Sequence, residues 1–228
     1  MTDIAYGVIS LVLFVPAIVL HEVAHGYVSY RLGDPTAQSH GRLSLNPLKH
    51  IDPFGTVLLP LLLAASGLPV FGYAKPVPIN PNYYRDYRKG MLLSGLAGPA
   101  ANLVLAVAAG LGYRVVAGGL GIAGGSVNDA VFAAGSWVAT VLFMFAYINL
   151  VLMFFNLIPI PPLDGSRVLP IFLSDNALKT YAQLERYGIA IFFAVVLVLP
   201  RLLRVDIIGS YFSVTVEPVL QLLTGVSL

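Results

Sequence analysis

Long apolar runs that carry almost no charge constrain this chain more than any other feature. The first run, residues 4–20, contains no charged side chain, and as a helix it would rise about 25 Å through a hydrocarbon core roughly 30 Å thick. Further apolar segments lie at 56–70, 91–117, 130–158, 188–200 and 207–226. Charged residues make up only 11% of the chain, against about 25% in soluble domains, so too few remain to cover a water-soluble globule. The sequence therefore predicts an integral membrane protein.

The predicted fold class is an all-α polytopic membrane protein with about five transmembrane helices, given the lengths of these runs. Segment 56–70 is short and is interrupted by Pro60, Gly67 and Pro69, so we expect a re-entrant segment there. Residues 70–79 alternate weakly in polarity, and their prolines allow at most a short edge strand.

The distribution of Lys and Arg supports the re-entrant course. If the segment returns to the side from which it came, ten of the thirteen cations share one face, and Arg114, Arg201 and Arg204 lie opposite. If it crosses fully, the split becomes six against seven. Because Lys and Arg accumulate in cytoplasmic loops, we expect the re-entrant course, with the cation-rich face in the cytoplasm.

Composition also limits the chemistry. The chain has no cysteine, which excludes disulfides, thiol catalysis and cysteine-based metal sites. Its net charge is +2 without a basic block, so we expect no nucleic-acid partner. Any metal site must therefore use His, Asp and Glu.

The strongest chemical motif is an H-E-x-x-H pattern that follows the first apolar run. His21 and His25 are four residues apart, so both imidazoles project from one helical face and can hold one metal ion, with Glu22 between them. The alternative is a polar helix end at the membrane surface. Ionisable groups beside a bilayer core are energetically unfavourable and usually functional, which favours the metal site.

A catalytic zinc ion usually takes three protein ligands and a water, so a third ligand must come from elsewhere. Asp164 follows an apolar helix in a proline-rich stretch, and irregular backbone at membrane depth is tolerated only when it is buried or lines a wet cavity. A simple Asp-Gly turn is the alternative explanation of Asp164. The other candidate ligands are His40, His50, Glu185 and Glu217.

Helix direction favours Asp164. Both the H-E-x-x-H pattern and Asp164 lie at the C-terminal ends of their apolar segments, so they can meet only if those helices run parallel. If 56–70 is re-entrant, one full crossing lies between the two helices and they run parallel. The charge distribution supports the same topology independently. Glu185 remains the alternative third ligand.

Five segments together resemble the site-2 protease family of intramembrane zinc metalloproteases, in its compact prokaryotic branch without a PDZ domain. They are HEVAHGYVSYRLGD, GRLSLNPLKHIDPFGT, GYAKPVPINP, SGLAGPAANL and NLIPIPPLDG. The resemblance covers residues 4 to about 170 and implies one Zn²⁺ per chain, bound by His21, His25 and Asp164, with Glu22 as the catalytic base. It also maps the family's second-motif Asn to Asn156. We expect one transmembrane metalloprotease domain over 1–228, with additional C-terminal helices in 188–226.

The expected function is intramembrane zinc endopeptidase. The substrate would be a single-span membrane protein, cut within or beside its transmembrane segment by a zinc-activated water with Glu22 as general base. We expect a multi-pass protein of the cell membrane, in a prokaryote the cytoplasmic membrane, with the active site toward the cytoplasm. The alternative is a divalent-cation transporter that uses the same His and Asp side chains, although a transit site has no evident need of Glu22.

Several supporting roles stay open. Asn156 could donate to the developing oxyanion, or it could cap backbone freed by Pro159. Residues 70–79 could pair with an unwound substrate, or they could form a loop at the lipid surface. In SGLAGPAANL we expect close helix packing through Gly95 and Gly98, with support of a zinc ligand by Asn102 as the alternative.

Overall fold

The computed structural model describes residues 3–58, 62, 75–123 and 129–226. Within these ranges the regular structure is helical and no strand occurs, so the predicted all-α fold class is confirmed. Short 3-10 helices lie at Pro47–Lys49, Pro81–Tyr83 and Asp164–Ile171, and π-helical turns lie at Pro53–Leu58 and Ala194–Val198. The α-helices are α1 (Asp3–Arg31), α2 (Thr36–Ser39), α3 (Tyr87–Ala123), α4 (Asp129–Asn156), α5 (Asp175–Glu185), α6 (Gly188–Phe193), α7 (Leu199–Leu203) and α8 (Ile207–Thr224).

Four helices in the described part are long and apolar enough to cross a bilayer, namely α1, α3, α4 and α8. A fifth candidate consists of α5 and the stretch Gly188–Leu203, which meet at an angle of 74°. Four to five candidate spans agree with the sequence prediction of a polytopic membrane protein.

Helices α1 and α3 run antiparallel. His21 of α1 contacts Asn102 of α3 (Nδ1 to Oδ1, 2.5 Å), and His25, one turn later on α1, contacts Ser94, two turns earlier on α3 (Nδ1 to O, 2.6 Å). The connection between the two helices therefore begins and ends at the same end of the bundle. That agrees with the parity of the re-entrant course, although most of 56–70 lies outside the described residues.

Helix α4 runs antiparallel to α3 and hence parallel to α1. Asn149 of α4 bonds to Asn102, and Asp164, beyond the end of α4, lies against Gly95 of α3. The C-terminal ends of α1 and α4 and the N-terminal end of α3 consequently share one end of the bundle, which we call the motif end. The H-E-x-x-H helix and the chain segment that carries Asp164 can meet there.

Helix α8 begins at the motif end and runs away from it. The Tyr211 hydroxyl donates to the Phe154 carbonyl near the end of α4 (2.9 Å), whereas Arg114 of α3 donates to the Leu222 carbonyl near the end of α8 (2.5 Å). Small side chains on α3 and α4 let α8 pack closely. The shared core consists of Ala106, Ala109, Ala146, Leu150, Met153, Val216 and Leu220.

This direction corrects the expected position of one cation, Arg204. The connection 157–206 leaves α4 and enters α8 at the motif end, so it makes no net crossing. Arg201 and Arg204 were expected on the opposite face, but Arg204 lies just before α8 and therefore near the motif end. The prediction placed both cations by treating the apolar run at 188–200 as a complete crossing, and hydropathy alone does not show that the chain enters α8 at the motif end.

The expected edge strand near 70–79 is absent from its described part, residues 75–79. Residues 70–74 lie outside the described residues. In 75–79 the Val77 N–H donates to the Glu22 carboxylate (2.8 Å), and the two prolines have no N–H to offer. Residues 75–79 therefore offer too few free backbone N–H groups to form the hydrogen-bond ladder of a β-strand.

Candidate metal centre

Three side chains from distant parts of the chain converge at the motif end. His21 Nε2, His25 Nε2 and Asp164 Oδ2 lie 3.0 Å from one another in every pairing. All three residues are buried, at 3%, 3% and 6% exposure. Among the described residues they form the group of His, Asp and Glu side chains that is close enough to hold one metal ion.

The protons on both imidazoles point away from this group. His25 Nδ1 faces the Ser94 carbonyl and His21 Nδ1 faces the Asn102 side-chain oxygen, and an oxygen of either kind can only accept. Each neutral ring therefore carries its proton on Nδ1 and presents a bare Nε2. Two nitrogen lone pairs and a carboxylate oxygen then face one another, which is stable when a cation lies among them. Two imidazoles and one carboxylate are a common ligand set for catalytic zinc.

Two glycines of α3 make room for this group. A Cβ on Gly98 would lie 2.3 Å from His25 Nε2 and 2.6 Å from His21 Nε2. A Cβ on Gly95 would lie 2.8 Å from the Cβ of Arg167, just beyond Asp164. The expected close approach at these glycines therefore brings α3 against the metal-binding atoms themselves.

The Asp164 carboxylate is held on both oxygens. Its Oδ2 faces the two imidazoles, and its Oδ1 lies 3.4 Å from Arg167 Nη1. The Arg167 guanidinium beside Oδ1 favours the ionised carboxylate, which is the form that binds a metal ion.

Glu22 faces the segment 75–80, which has no regular secondary structure. Its Oε2 accepts the Val77 N–H, and the Val77 side chain packs over α1 at Gly26, where a Cβ would lie 2.7 Å from Val77 Cγ1. The segment is anchored further along by the Asn80 N–H, which donates to Asp34 Oδ2 (2.7 Å). Glu22 is thus fixed between its helix and the non-helical segment 75–80.

The other predicted residues lie elsewhere. The Asn156 amide donates to the Leu152 carbonyl within α4 (2.9 Å), which is a backbone-capping contact, and its oxyanion role stays a prediction. His50 is buried, but its Nε2 donates to the Ser44 carbonyl (2.8 Å). None of the alternative ligands joins the group in the described structure; they are His40, His50, Glu185 and Glu217.

One residue of the site was not identified from the sequence. Asn149 is fully buried in α4 and accepts a hydrogen bond from Asn102, which in turn contacts His21. An amide in the middle of an apolar span is a signal of a specific contact. Its partner depends on the register between α3 and α4, which the sequence does not give.

Comparisons with known proteins show which proteins this chain resembles. The profile of the family described as "Peptidase family M50" matches residues 9–199. "Putative zinc metalloprotease YwhC" of Bacillus subtilis (strain 168) is 38% identical over 206 residues, which cover 90% of this chain and 83% of that protein. "Putative zinc metalloprotease Rip2" of Mycolicibacterium smegmatis is 32% identical over 200 residues, covering 87% and 70%. No solved structure matches the chain significantly. The relatives are named as proteases, which gives the cation-transporter alternative no support.

Proposed function

Because the chain belongs to peptidase family M50, the site-2 protease family of zinc metalloproteases, we propose that His21, His25 and Asp164 bind its zinc ion and that Glu22 is its general base. We extend the proposal to the substrate, a single-span membrane protein cut within or beside its transmembrane segment. The observation that carries it is that three buried donor atoms meet where two parallel membrane helices end. The Glu22 carboxylate belongs to the residue next to one of these ligands, His21.

Zinc held by such donors supplies Lewis-acid activation of water and of the scissile carbonyl. Glu22 would take a proton from the attacking water and pass it to the leaving amine, so the carboxylate is regenerated in each turnover. The hydrogen bond from the Val77 N–H restrains this carboxylate. Asn156 would donate to the developing oxyanion after it releases the Leu152 carbonyl. Residues 75–79, which lie beside Glu22, would contact an unwound substrate.

The proposed location is the cell membrane, with the metal centre toward the cytoplasm. Lys and Arg are concentrated in the segments that flank the motif end, including the connection 157–206 that returns to it. Such clustering is typical of the cytoplasmic side of membrane proteins.

The decisive experiment replaces Glu22 by Gln. The amide keeps the size of the side chain but cannot take a proton, so cleavage of a reconstituted single-span helical substrate should fall by about 10²–10⁴-fold while zinc binding is retained. Glu217→Gln, at an exposed position of α8, is the matched control and should cleave normally. Cleavage by Glu22→Gln at the unchanged rate would refute the proposed mechanism.

A second experiment identifies the third ligand. Asp164→Asn should lose bound zinc because an amide oxygen is a much weaker ligand than a carboxylate. Glu185→Gln should keep zinc because Glu185 is exposed on α5 and lies outside the group. The zinc content of purified protein measures both, and the reverse pattern would replace Asp164 by Glu185 in the proposal.

A further inference from the structure

We propose that Asn149 is a positioning residue of the metal centre. Through Asn102, it holds His21 in the tautomer whose Nε2 faces the metal. The inference rests on the proposed zinc site and assigns a role to a residue two hydrogen bonds away from it.

The side chains form a continuous chain across three helices. His21 Nδ1 on α1 contacts Asn102 Oδ1 on α3 at 2.5 Å, and Asn102 Nδ2 donates to Asn149 Oδ1 on α4 at 2.8 Å. Asn149 Nδ2 then donates to the Phe145 carbonyl, one turn earlier on α4, at 2.8 Å. Asn102 and Asn149 are completely buried, and His21 is 3% exposed. Water therefore cannot replace a missing partner.

The direction of every hydrogen bond follows from the last oxygen. A backbone carbonyl only accepts, so Asn149 must turn its NH₂ group toward Phe145 and its oxygen toward Asn102. Asn102 must then turn its NH₂ group toward Asn149 and its oxygen toward His21. An oxygen opposite Nδ1 requires the ring proton to be on Nδ1, which leaves Nε2 free to bind a cation.

Loss of Asn149 removes this constraint. With Asn149 gone, one N–H of Asn102 has no partner in the apolar interior, and an unsatisfied buried donor is unfavourable. A flipped Asn102 amide would place its NH₂ group opposite His21 Nδ1 and favour the proton on Nε2, where it competes with the metal. The Ala17 carbonyl, 3.3 Å from Asn102 Nδ2, opposes the flip only weakly, so the orientation should be partly lost.

The test is a double-mutant cycle with the zinc dissociation constant as its readout, measured by chelator competition on the full chain in detergent. Asn149→Leu should weaken zinc binding about 10–100-fold, the usual effect of removing an outer partner of a metal ligand. In an Asn102→Leu background, the same replacement should change the affinity by less than about twofold, because Asn149 acts only through Asn102. Equal losses in both backgrounds would show general destabilisation instead, and would overturn the inference.

Two further variants guard against a folding artefact. Asn149→Asp keeps an acceptor for Asn102 and, as a buried protonated carboxyl, a donor for the Phe145 carbonyl, so it should recover the greater part of the lost affinity. Asn149→Asp that binds zinc as weakly as Asn149→Leu would contradict the inference. Thr140→Ala, on the same helix, removes a methyl group and a hydroxyl that donates to the Ser136 carbonyl, and it should leave the affinity unchanged.

The two proposals fail differently. If the unchanged protein binds no zinc, or if Asp164→Asn binds it normally, the proposed metal centre is wrong. If the unchanged protein binds zinc, Asp164→Asn loses it and Asn149→Leu binds it with full affinity, only the role of Asn149 is refuted.

Discussion

Gly98 has no side chain, yet its position decides whether two imidazoles can approach α3. The hydrogen atom at this position occupies space that a methyl group cannot share with His21 or His25. Both rings are fixed from behind by hydrogen bonds to Asn102 and Ser94, so they cannot easily retreat. The space between the α3 backbone at Gly98 and the two imidazoles is thus too small for one additional methyl group.

Gly98→Ala should lower zinc affinity by about tenfold or more, the size of effect expected when the surroundings of metal ligands are disturbed. Its added Cβ would lie within 2.6 Å of both Nε2 atoms. Gly118→Ala is the matched control on the same helix because its Cβ would meet nothing within 4 Å. Chelator competition measures both variants, and normal zinc affinity in Gly98→Ala would mean that the rings can move aside.

The sequence predicted part of this site for definite physical reasons. The four-residue spacing of His21 and His25 places them on one face of any helix, so their proximity depends on no other element. Asp164 could be selected because its helix runs either parallel or antiparallel to the H-E-x-x-H helix, and the distribution of Lys and Arg distinguishes these two topologies. The roles of Gly98 and Asn149 depend on the relative register of packed helices, and a difference of one residue there would place other side chains against the histidines.

At the scale of elements, a buried carboxylate joins the end of α1 to the segment beside Glu22. Asp34 is completely buried and accepts hydrogen bonds from the Ser29 hydroxyl, from the Thr36 N–H and hydroxyl, and from the Asn80 N–H. Burial tends to raise the pKa of this carboxyl, but the four hydrogen bonds outweigh burial and lower the pKa. The ionised form therefore stabilises the fold.

Asp34→Asn should lower the free energy of unfolding at pH 7 by about 1–3 kcal/mol, because its NH₂ group would face donors that need an acceptor. Since the folded pKa is depressed, the contribution of Asp34 is complete above the unfolded value of about 3.9 and is lost as the pH falls through the folded value. Unfolding in detergent, followed at pH 7 and again near pH 3, should show the gap between the variant and the unchanged protein narrowing in acid. A gap of equal size at both pH values would mean that the ionised carboxylate is not the stabilising form.

The contacts of segment 75–80 show why its structure was hard to predict. Alternation and prolines were compatible with an edge strand, but strand formation needs a neighbouring backbone with free groups. Here the Lys75 carbonyl accepts from Arg42, the Lys75 N–H donates to the His50 carbonyl, and the Val77 N–H is taken by Glu22. Long-range contacts of single groups leave no periodic signal in a sequence.

At the scale of the whole molecule, two long connections leave the bundle and return at the same end. Residues 32–86 join α1 to α3 there, and residues 157–206 join α4 to α8. The second connection supplies Asp164 to the metal centre, together with Arg167, whose guanidinium lies 3.4 Å from the Asp164 carboxylate. The sequence predicted the first return from charge and parity, but it treated 188–200 as a crossing because hydropathy does not report in which direction an apolar helix runs.

The topology can be tested directly because the chain has no cysteine. In sealed vesicles, a membrane-impermeant maleimide should label Arg204→Cys from the same side as Arg85→Cys, which lies at the start of α3. Asp129→Cys, at the start of α4, should be labelled from the other side. Labelling of Arg204→Cys together with Asp129→Cys would mean that the stretch 188–203 crosses the membrane after all.

A backbone carbonyl oxygen fixes each of the two histidines. The Ser94 carbonyl accepts directly from His25, and the Phe145 carbonyl is linked to His21 through the side-chain amides of Asn149 and Asn102. A point mutation exchanges one side chain for another and leaves the peptide group where it was. Neither terminal acceptor can therefore be deleted by a codon change unless the helix itself moves. The acceptor of His25 is therefore inherited with the backbone, whereas His21 keeps its link to a backbone acceptor only as long as both amides are retained.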